Sequence, residues 1–565
     1  MNVLGVHIGH DSTASLVMNG KIVADVAEER FTRVKHYAGL PVKSIEYCLR
    51  YAGLSITEID MIAVPSKYPI PELNYLFGLS NGQAEKRSRA GQLLEVARRI
   101  TRKTGTKPPI YVKNFPIGKS PRIFHVEHHL AHAASAYYTS GSSEKQLVVT
   151  MDGAGDDQSI CVWRGENGAI TPLKKYGTNA SLGWFYSIVT EALGWWHGDG
   201  EGKTMGLAPY GDYDKCKGLL DEFYPKFGAG DLIEPCDFGN SYIWNDNGAM
   251  QFHFDQAYEV KQIIDRYGAA NVAAEAQRVL EEQTFELVQP WMDREKTSNL
   301  TCGGGVFLNV KLNQRIWDSG KVRSHHIFPN AGDSGLAAGA ALYAYFLNNR
   351  SSQIHPIDNL YWGPEYSDSE VEGVIRLRNL RARRVENVEQ FAARKLGEGK
   401  IVAWFQGRME SGPRALGNRS ILMSANEGEN KDIINAKVKF REPFRPFCPS
   451  LLWENRRDYL VNSRDEHFMI TSFTCTEEKR DKVPAVVHAD HTLRHQTVKK
   501  EYNAKYWNLI NEFGKITGEP LLLNTSLNVM GEPIINHPRE AIKCFYDNGL
   551  DVLVLNDFVL EKEIS

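Results

Sequence analysis

The chain has no C-x-x-C pair: its eight cysteines, at 48, 161, 216, 236, 302, 448, 475 and 544, are scattered over 565 residues. That spacing speaks against a disulfide framework and against a zinc finger, both of which need clustered thiols. Charge of one sign is also missing. The formal net charge is only -3, so no global field draws the protein to nucleic acid or to an anionic membrane. Any phosphate must be held by local clusters of Arg and Lys. Long hydrophobic runs are absent too: the longest apolar stretch, around Leu336 to Phe346, is rich in alanine and too short to span a bilayer. The opening Met1-Asn2-Val3-Leu4-Gly5 reads directly as a strand, without a basic n-region or an apolar signal core. These absences lead us to expect a cytoplasmic protein with neither nucleic acid nor membrane as partner.

What is present suits a globular enzyme, with 42% hydrophobic and 24% charged residues. A length of 565 residues is too great for one core and implies two or three domains. Val3 to Ile8 reads as a strand running into a Gly-His-Asp turn. Ala14 to Met18 then meets Ile22 to Ala27 across Asn19-Gly20, a hairpin signal. Pro41 opens an amphipathic helix that carries Ile45, Cys48 and Leu49 on one face and ends near Gly53. The sketch recurs with Leu147 to Thr150 as strand, Asp152-Gly153-Ala154-Gly155-Asp156 as turn, Ile160 to Trp163 as strand and Asn167-Gly168 as hairpin turn. It suggests an internal duplication, with two unrelated three-stranded units as the alternative. The polar, Pro- and Gly-punctuated stretch 348–365 reads as a linker. It places a boundary near 355, between a first domain, 1–355, and a second, 356–565. A helix over Val388 to Leu396 and a strand over Ile401 to Phe405 open the second α/β unit. Segments 70–110 and 212–262 carry no motif.

Three constellations point to chemistry. In His128-His129-Leu130-Ala131-His132, His128 and His132 fall one helical turn apart on one face, as a two-armed metal platform requires. Core histidines are the alternative for such a pair. Two distant acidic glycine segments, with Asp152 and Asp333, are placed to complete a mixed nitrogen–oxygen site. Two His and two Asp suit Fe(II), Mn(II) or Zn(II), and the sequence does not choose among them. Glycine turns at Gly9-His10-Asp11-Ser12, at Asp152 to Gly155 and at Cys302 to Asn309 let backbone N–H groups approach phosphate or adenosine. Beside an apparent duplication they fit an actin-like ATPase fold, with Gly303, Gly304 and Asn309 as nucleotide contacts. In the second domain Arg408, Arg414 and Arg419 share one Gly/Pro-rich loop, and Lys437, Lys439, Arg441 and Arg445 follow on a stretch interleaved with Phe and Pro. Cations on loops stiffened in this way make a poor solvated face and a good polyphosphate cradle.

These stretches, together with Glu28 to His36, Glu201 to Gly211, Ser411 to Gly417, Arg494-His495-Gln496-Thr497-Val498 and Leu523 to Asn528, resemble the NodU/CmcH-type O-carbamoyltransferases of nodulation-factor and antibiotic biosynthesis. The matches run in the family's order over nearly the whole chain. The resemblance implies an N-terminal actin-like domain, a duplicated ribonuclease-H-like fold similar to the TsaD/Kae-type ATPases, and a C-terminal YrdC-like α/β domain. It implies that carbamoyl phosphate and ATP, with Mg(II), give carbamoyl-adenylate in the second domain, and that a small-molecule hydroxyl acceptor attacks it in the first. By the same resemblance the metal, usually iron as Fe(II), sits on His128, His132, Asp152 and Asp333. The phosphate- and adenylate-binding residues are Arg414, Lys439, Arg445, Arg494, Asn524 and Ser526. The chain departs from the family pattern at Arg33-Val34-Lys35-His36, one cation fewer near the acceptor, and at Arg494-His495-Gln496-Thr497, where proline usually follows the arginine.

For the acceptor's proton His10 is the first candidate base and Lys35 the second, with a strand-end histidine bonded to backbone as the alternative for His10. Three other classes share parts of this pattern. A tRNA threonylcarbamoyl-forming enzyme would need a broad basic face. A hydrogenase-maturation carbamoyltransferase would carry an acylphosphatase module and C-x-x-C fingers. A non-catalytic nucleotide-binding regulator would have no need of the Arg/Lys cluster or the four candidate ligands. The acceptor's identity and a homodimeric assembly are left open by the sequence.

Overall fold

The computed structural model describes residues 1–68, 121–244 and 250–562; the motif-free segment 70–110 lies outside them. Two Asn-Gly hairpins start the two parts of the first half. Asn19-Gly20 and Asn167-Gly168 both take positive φ at each residue (51° and 77°; 52° and 74°), the geometry that matches strand twist in a two-residue turn. Around the first, β1 (Asn2–His7), β2 (Thr13–Met18) and β3 (Lys21–Ala27) form an antiparallel meander. Strands β4 (Met61–Val64) and β5 (Arg122–His125) extend it in parallel from β1, in the order β3-β2-β1-β4-β5. Around the second, β6 (Gln146–Gly155), β7 (Gln158–Glu166) and β8 (Ala169–Gly177) repeat the meander. There β9 (Asn299–Gly303) and β10 (Ser324–Ile327) add in parallel from β6, in the order β8-β7-β6-β9-β10. The duplication is therefore one of topology, strand for strand, as an actin-like domain requires.

One detail departs from the sequence reading. Asp152 to Asp156 is not the turn: β6 continues to Gly155, and the hairpin closes at Asp156-Asp157, both with positive φ. A register shift between Met151 and Gly155 bulges the strand there. Glycines at 153 and 155 permit the bulge, and it re-aims Asp152.

Two helices fill the space between the sheets. Leu336–Asn348 packs on β1, β2 and β4, while His128–Tyr137 packs on β6 and β9, and the two pack on each other. The helices approach so closely that a Cβ on Gly339 would lie 1.9 Å from the Ala131 carbonyl oxygen, and the first helix lies so close to β1 that one on Gly5 would lie 1.8 Å from that of Ala337. Only residues without a side chain fit. Segment 212–262 forms two small hairpins, Lys226–Gly228 with Asp231–Glu234 and Asn240–Trp244 with Met250–Phe254, and enters the helix Ala257–Tyr267.

The second half is built on an eight-stranded mixed sheet. Its centre runs Val552–Leu555, Val402–Phe405, Arg419–Ser424, Leu521–Ser526 and Cys448–Leu452 in spatial order. Separate apolar cores cover its two faces, one around Ile421, Leu523 and Leu553, the other around Trp404, Leu522 and Phe513.

The halves are bolted together by polar contacts. Arg408 donates to the carbonyls of Val23 (3.0 Å) and Trp362 (2.6 Å) and lies over the Tyr51 ring. Arg33 donates to the carbonyls of Ile534 (2.8 Å) and Pro533 (2.7 Å). The stretch read as a linker runs from one half to the other: Pro356 pairs with Ser140 and Ile357 N–H donates to the Thr139 carbonyl (3.3 Å), after which Leu360 accepts from Ser411 N–H (2.7 Å) and Pro364 from Met409 N–H (2.9 Å).

At this junction Asp25, fully buried, accepts from the Ser411 hydroxyl. Burial, only partly offset by Ser411 and Ser15, pushes its carboxyl from 3.8 up to about 7. The folded protein thus keeps a proton that the unfolded chain has already released between about pH 4 and 7, so this group's contribution to stability falls as pH rises through that window. Asp25→Asn removes the titration and keeps the shape. We expect thermal denaturation curves of the variant to lose a pH dependence on the order of a few kcal/mol across that window. Identical pH profiles for the two proteins would contradict the assignment.

Candidate functional site

The helix His128–Tyr137 presents His128 and His132 side by side, with ring centroids 4.8 Å apart. The intervening His129 turns away, bonding Thr150 (3.0 Å) and the Gln158 carbonyl (3.1 Å); burial pushes it down to about 3. It is a satisfied core histidine. The β6 bulge brings Asp152 opposite the pair. Its Oδ1 is held by the Gly153 N–H (2.7 Å) and its Oδ2 by the Gly305 N–H (3.3 Å). Asp333 starts the turn that enters the helix Leu336–Asn348, where the helix dipole favours a carboxylate.

The four side chains therefore converge from one helix, one bulge and one helix entry. His132 Nε2 lies 3.0 Å from Asp152 Oδ2 and 3.5 Å from Asp333 Oδ1, and His128 Nε2 lies 3.8 Å and 3.6 Å from the same atoms. Ligand atoms on an ion at about 2.1 Å stand about 3.4 Å apart in a tetrahedron, so these separations are those of a coordination shell. Both Nε2 atoms are buried and make no hydrogen bond among the described residues, which fits donors aimed at a common centre. Burial alone would raise Asp152, but His128 and His132 outweigh it and hold the carboxyl well below the usual range. Burial likewise opposes charge on His132, yet Asp152 and Asp333 push it up to about 9. This N2O2 donor set fits a divalent cation, with the carboxylates already ionised to receive it.

A second charged network borders the first. His10 Nε2 lies 3.3 Å from Asp333 and its Nδ1 3.2 Å from Asp11, Asp11 meets His36 at 2.7 Å, and Asp199 holds Lys35 at 2.6 Å. His10 is thus not the backbone-bonded histidine of the alternative reading. The Asp11 hydrogen bond and then Asp333 push it up to about 9, although its side chain is 70% exposed and solvent screens part of that pull. Its Nδ1 is engaged by Asp11 and its Nε2 faces Asp333, so it stands at the edge of the four-residue cluster. Lys35 is committed to Asp199. Asp11 and His36 lie inside motifs visible in the sequence, but nothing there marked Asp199.

The glycine-turn residues have structural duties of their own. A Cβ on Gly303 would sit 2.7 Å from the His132 carbonyl oxygen, and one on Gly304 2.2 Å from that of Met151. Asn309 caps the helix Val310–Asp318 through the Leu312 N–H and exchanges two hydrogen bonds with Gln277. Its side chain is spent.

In the second half, Arg414, Arg441, Arg445 and Arg494 line an open cleft. The helix Glu201–Leu207 and Lys311 of the first half form its facing wall. Burial and then Arg494 push Arg414 down to about 9, and burial with Arg445 does the same to Arg441. The rim carboxylates are already taken, Glu442 by Lys203 (2.9 Å) and Asp490 by Lys311 (2.7 Å). Lys439, Asn524 and Ser526 stand behind the cleft rather than on it. Lys439 is tied to the Ser526 carbonyl and to Asn528, and burial followed by Arg441 pushes it down to about 7. Asn524 holds the Ala415 carbonyl (3.1 Å) and Ser450, while Ser526 donates to Asn528. Of the three arginines read as one cradle, only Arg414 reaches the cleft. Arg408 bolts the halves, and Arg419 is buried on a strand, donating to the Gln406 and Pro364 carbonyls.

Comparison with known proteins places these features in a family. The family described as carbamoyltransferase N-terminus matches residues 2–342 and that described as carbamoyltransferase C-terminus matches 393–562. Nodulation protein NolNO of Sinorhizobium fredii is 36% identical over 98% of this chain and 79% of its own. Nodulation protein U of Rhizobium fredii is 26% identical over 96% of this chain and 92% of its own. Among solved structures, full-length HypF in its phosphate- and nucleotide-bound form covers 62% of this chain and 56% of its own at 12% identity and a TM-score of 0.35. That likeness is too loose to bear on the fold, which rests on strand order.

For the four-residue cluster the measurement is cation binding itself. After chelator treatment, wild-type protein offered Fe(II), Mn(II) or Zn(II) in equilibrium dialysis is expected to retain about one ion per chain. His132→Ala should lose at least about tenfold in affinity, since losing even a group that only orients a ligand costs about ten- to a hundredfold. Equal retention by the two proteins would sink the cluster as a cation site.

Proposed function

The chain belongs to the carbamoyltransferase family, and we propose that it transfers its carbamoyl group to a small-molecule hydroxyl in two steps on two sites. The observation that carries this reading is the cleft where four guanidiniums meet and both rim carboxylates are already paired. Such a surplus of half-buried positive charge calls for a polyanion. In the first step carbamoyl phosphate and water give carbamate and inorganic phosphate. A carbamate oxygen then attacks the α-phosphorus of ATP, which enters with Mg(II); pyrophosphate leaves and carbamoyl-adenylate remains. Arg414, Arg441, Arg445 and Arg494 offset the phosphate charges that must approach one another. Lys439, Asn524 and Ser526 hold the loops that carry them. The cleft belongs to a second half that we read as YrdC-like, following the resemblance.

In the second step the acceptor oxygen attacks the carbamoyl carbon in the first half and AMP leaves. His128, His132, Asp152 and Asp333 would hold a divalent metal, Fe(II) by resemblance, which when bound supplies Lewis-acid polarisation of the carbonyl. His10, beside Asp333 and open to solvent, is placed to take the released hydroxyl proton and pass it to solvent at its exposed face. Lys35 and His36, bridged by Asp199, place fixed charge where the acceptor enters.

Arg414→Ala and Arg445→Ala test the first step, read as ATP–pyrophosphate exchange dependent on carbamoyl phosphate. Each is expected to lower exchange on the order of a hundredfold, the effect of removing one charge-assisted contact in a water-poor site. Arg381→Ala, on the exposed stretch ahead of the helix Val388–Gly397, serves as control; exposed charges change stability by about half a kcal/mol or less. If Arg414→Ala exchanges at the wild-type rate, the adenylate does not form in the second half.

A further inference from the structure

We propose that Arg30, in the first half, is a positioning residue for the adenylate-forming cleft of the second half, acting on Arg414 through the carbonyl of Gly412. The inference rests on the two-site reading above. Loop 410–419 carries Arg414 and is clamped on both sides of it. On the far side one carboxylate oxygen of buried Glu410 accepts the N–H groups of Leu416 (2.7 Å), Asn418 (2.9 Å) and Arg419 (3.0 Å), and Asn524 holds the Ala415 carbonyl. On the near side Leu360 accepts the Ser411 N–H (2.7 Å), and two further clamps come from the first half. Asp25 takes the Ser411 hydroxyl, and Arg30 donates to the Gly412 carbonyl at 2.8 Å.

Arg30 is only 6% exposed and has Glu29 as its ion partner at 3.4 Å. A buried guanidinium spent on one backbone carbonyl is costly unless that carbonyl must stay in place. It is the last fixed point before Arg414, whose Nε has no partner among the described residues. Gly412 sits at φ +91°, with its Cβ position 3.5 Å from Asn330, on the turn that continues to Asp333. Freed from Arg30, this glycine can rotate and swing Arg414 with it. A shift of about 1 Å in a charge-stabilising group is worth on the order of a hundredfold in rate.

Arg33 crosses to the second half as well, but meets Pro533 and Ile534, away from the loop. It separates positioning from general docking. The experiment measures carbamoyl-phosphate-dependent exchange and its KM and kcat, with melting temperature, for Arg30→Gln, Arg30→Lys, Arg33→Gln, Arg414→Ala and the double variant Arg30→Gln/Arg414→Ala. Arg30→Gln is expected to lower exchange about ten- to a hundredfold, with Arg30→Lys, which keeps a donor for the carbonyl, recovering most of it. Arg33→Gln should stay within about twofold, and the double variant should be no worse than Arg414→Ala, because one residue acts through the other. Equal defects in Arg30→Gln and Arg33→Gln, or multiplied defects in the double variant, would overturn the proposal. If Arg414→Ala is itself unaffected, the two-site reading fails and this one with it. Should Arg30→Gln not fold, Gly412→Ala, strained at that φ with the first half intact, must show the same exchange defect; normal exchange there overturns the link.

Discussion

The close approach of the helix Leu336–Asn348 to the helix His128–Tyr137 is the constraint on which the first half and its four-residue cluster depend. Gly339 against Ala131 and Gly5 against Ala337 leave no room for a methyl group, so sheet, helix, helix and sheet form one stack. The stack delivers Asp333, at the start of one helix, to His128 and His132 on the other. The β6 bulge then supplies Asp152 from the side. Were the helices an ångström further apart, His128 and His132, now 3.6 and 3.5 Å from Asp333, would stand well beyond the roughly 3.4 Å edge of a tetrahedral shell.

The two centres are complementary in charge. In the first half carboxylates and imidazoles gather around a point that favours a cation. In the second, arginines gather around a cleft that favours an anion. Burial strengthens both, since neither set is neutralised by bulk water. The facing wall of the arginine cleft comes from the first half, through Gly206 and Lys311. The loop bearing Arg414 lies against Asn330, three residues before Asp333. On the two-site proposal, an unstable carbamoyl intermediate would gain from this arrangement, because its formation and its consumption would be held by one polar junction rather than by a tether.

That junction is also where the protein stores its least comfortable charges. Asp25, Arg30 and Arg408 are all drawn from the first half's sheet region or the loop facing it, and each is spent on the other half. Exposed surface pairs of this kind would contribute little. With Arg30 and Arg408 matched to backbone carbonyls and buried Asp25 to the Ser411 hydroxyl, they specify one relative placement of the halves, at the cost of desolvation that makes the contact sensitive to protonation at Asp25.

Local patterns carried much of this in the sequence. The Asn-Gly hairpins, the Pro41 helix with its Gly53 end, and the His128/His132 spacing are short-range features whose geometry is set by neighbouring residues, and all appear where expected. What local chemistry cannot show is which distant groups meet. Asp199 has no motif, yet it holds Lys35. Asp152 looked like a turn residue until pairing with β7 carried the strand on to Gly155. Asn309 and Arg419, promising by composition, are consumed by a helix cap and by backbone carbonyls, because caps and buried donors must be satisfied before a ligand is. The sequence by itself determined the donor types, the duplicated hairpins and the clustering of cations. Tertiary packing alone decided which of them face a common space, since burial and long-range strand pairing select side-chain direction.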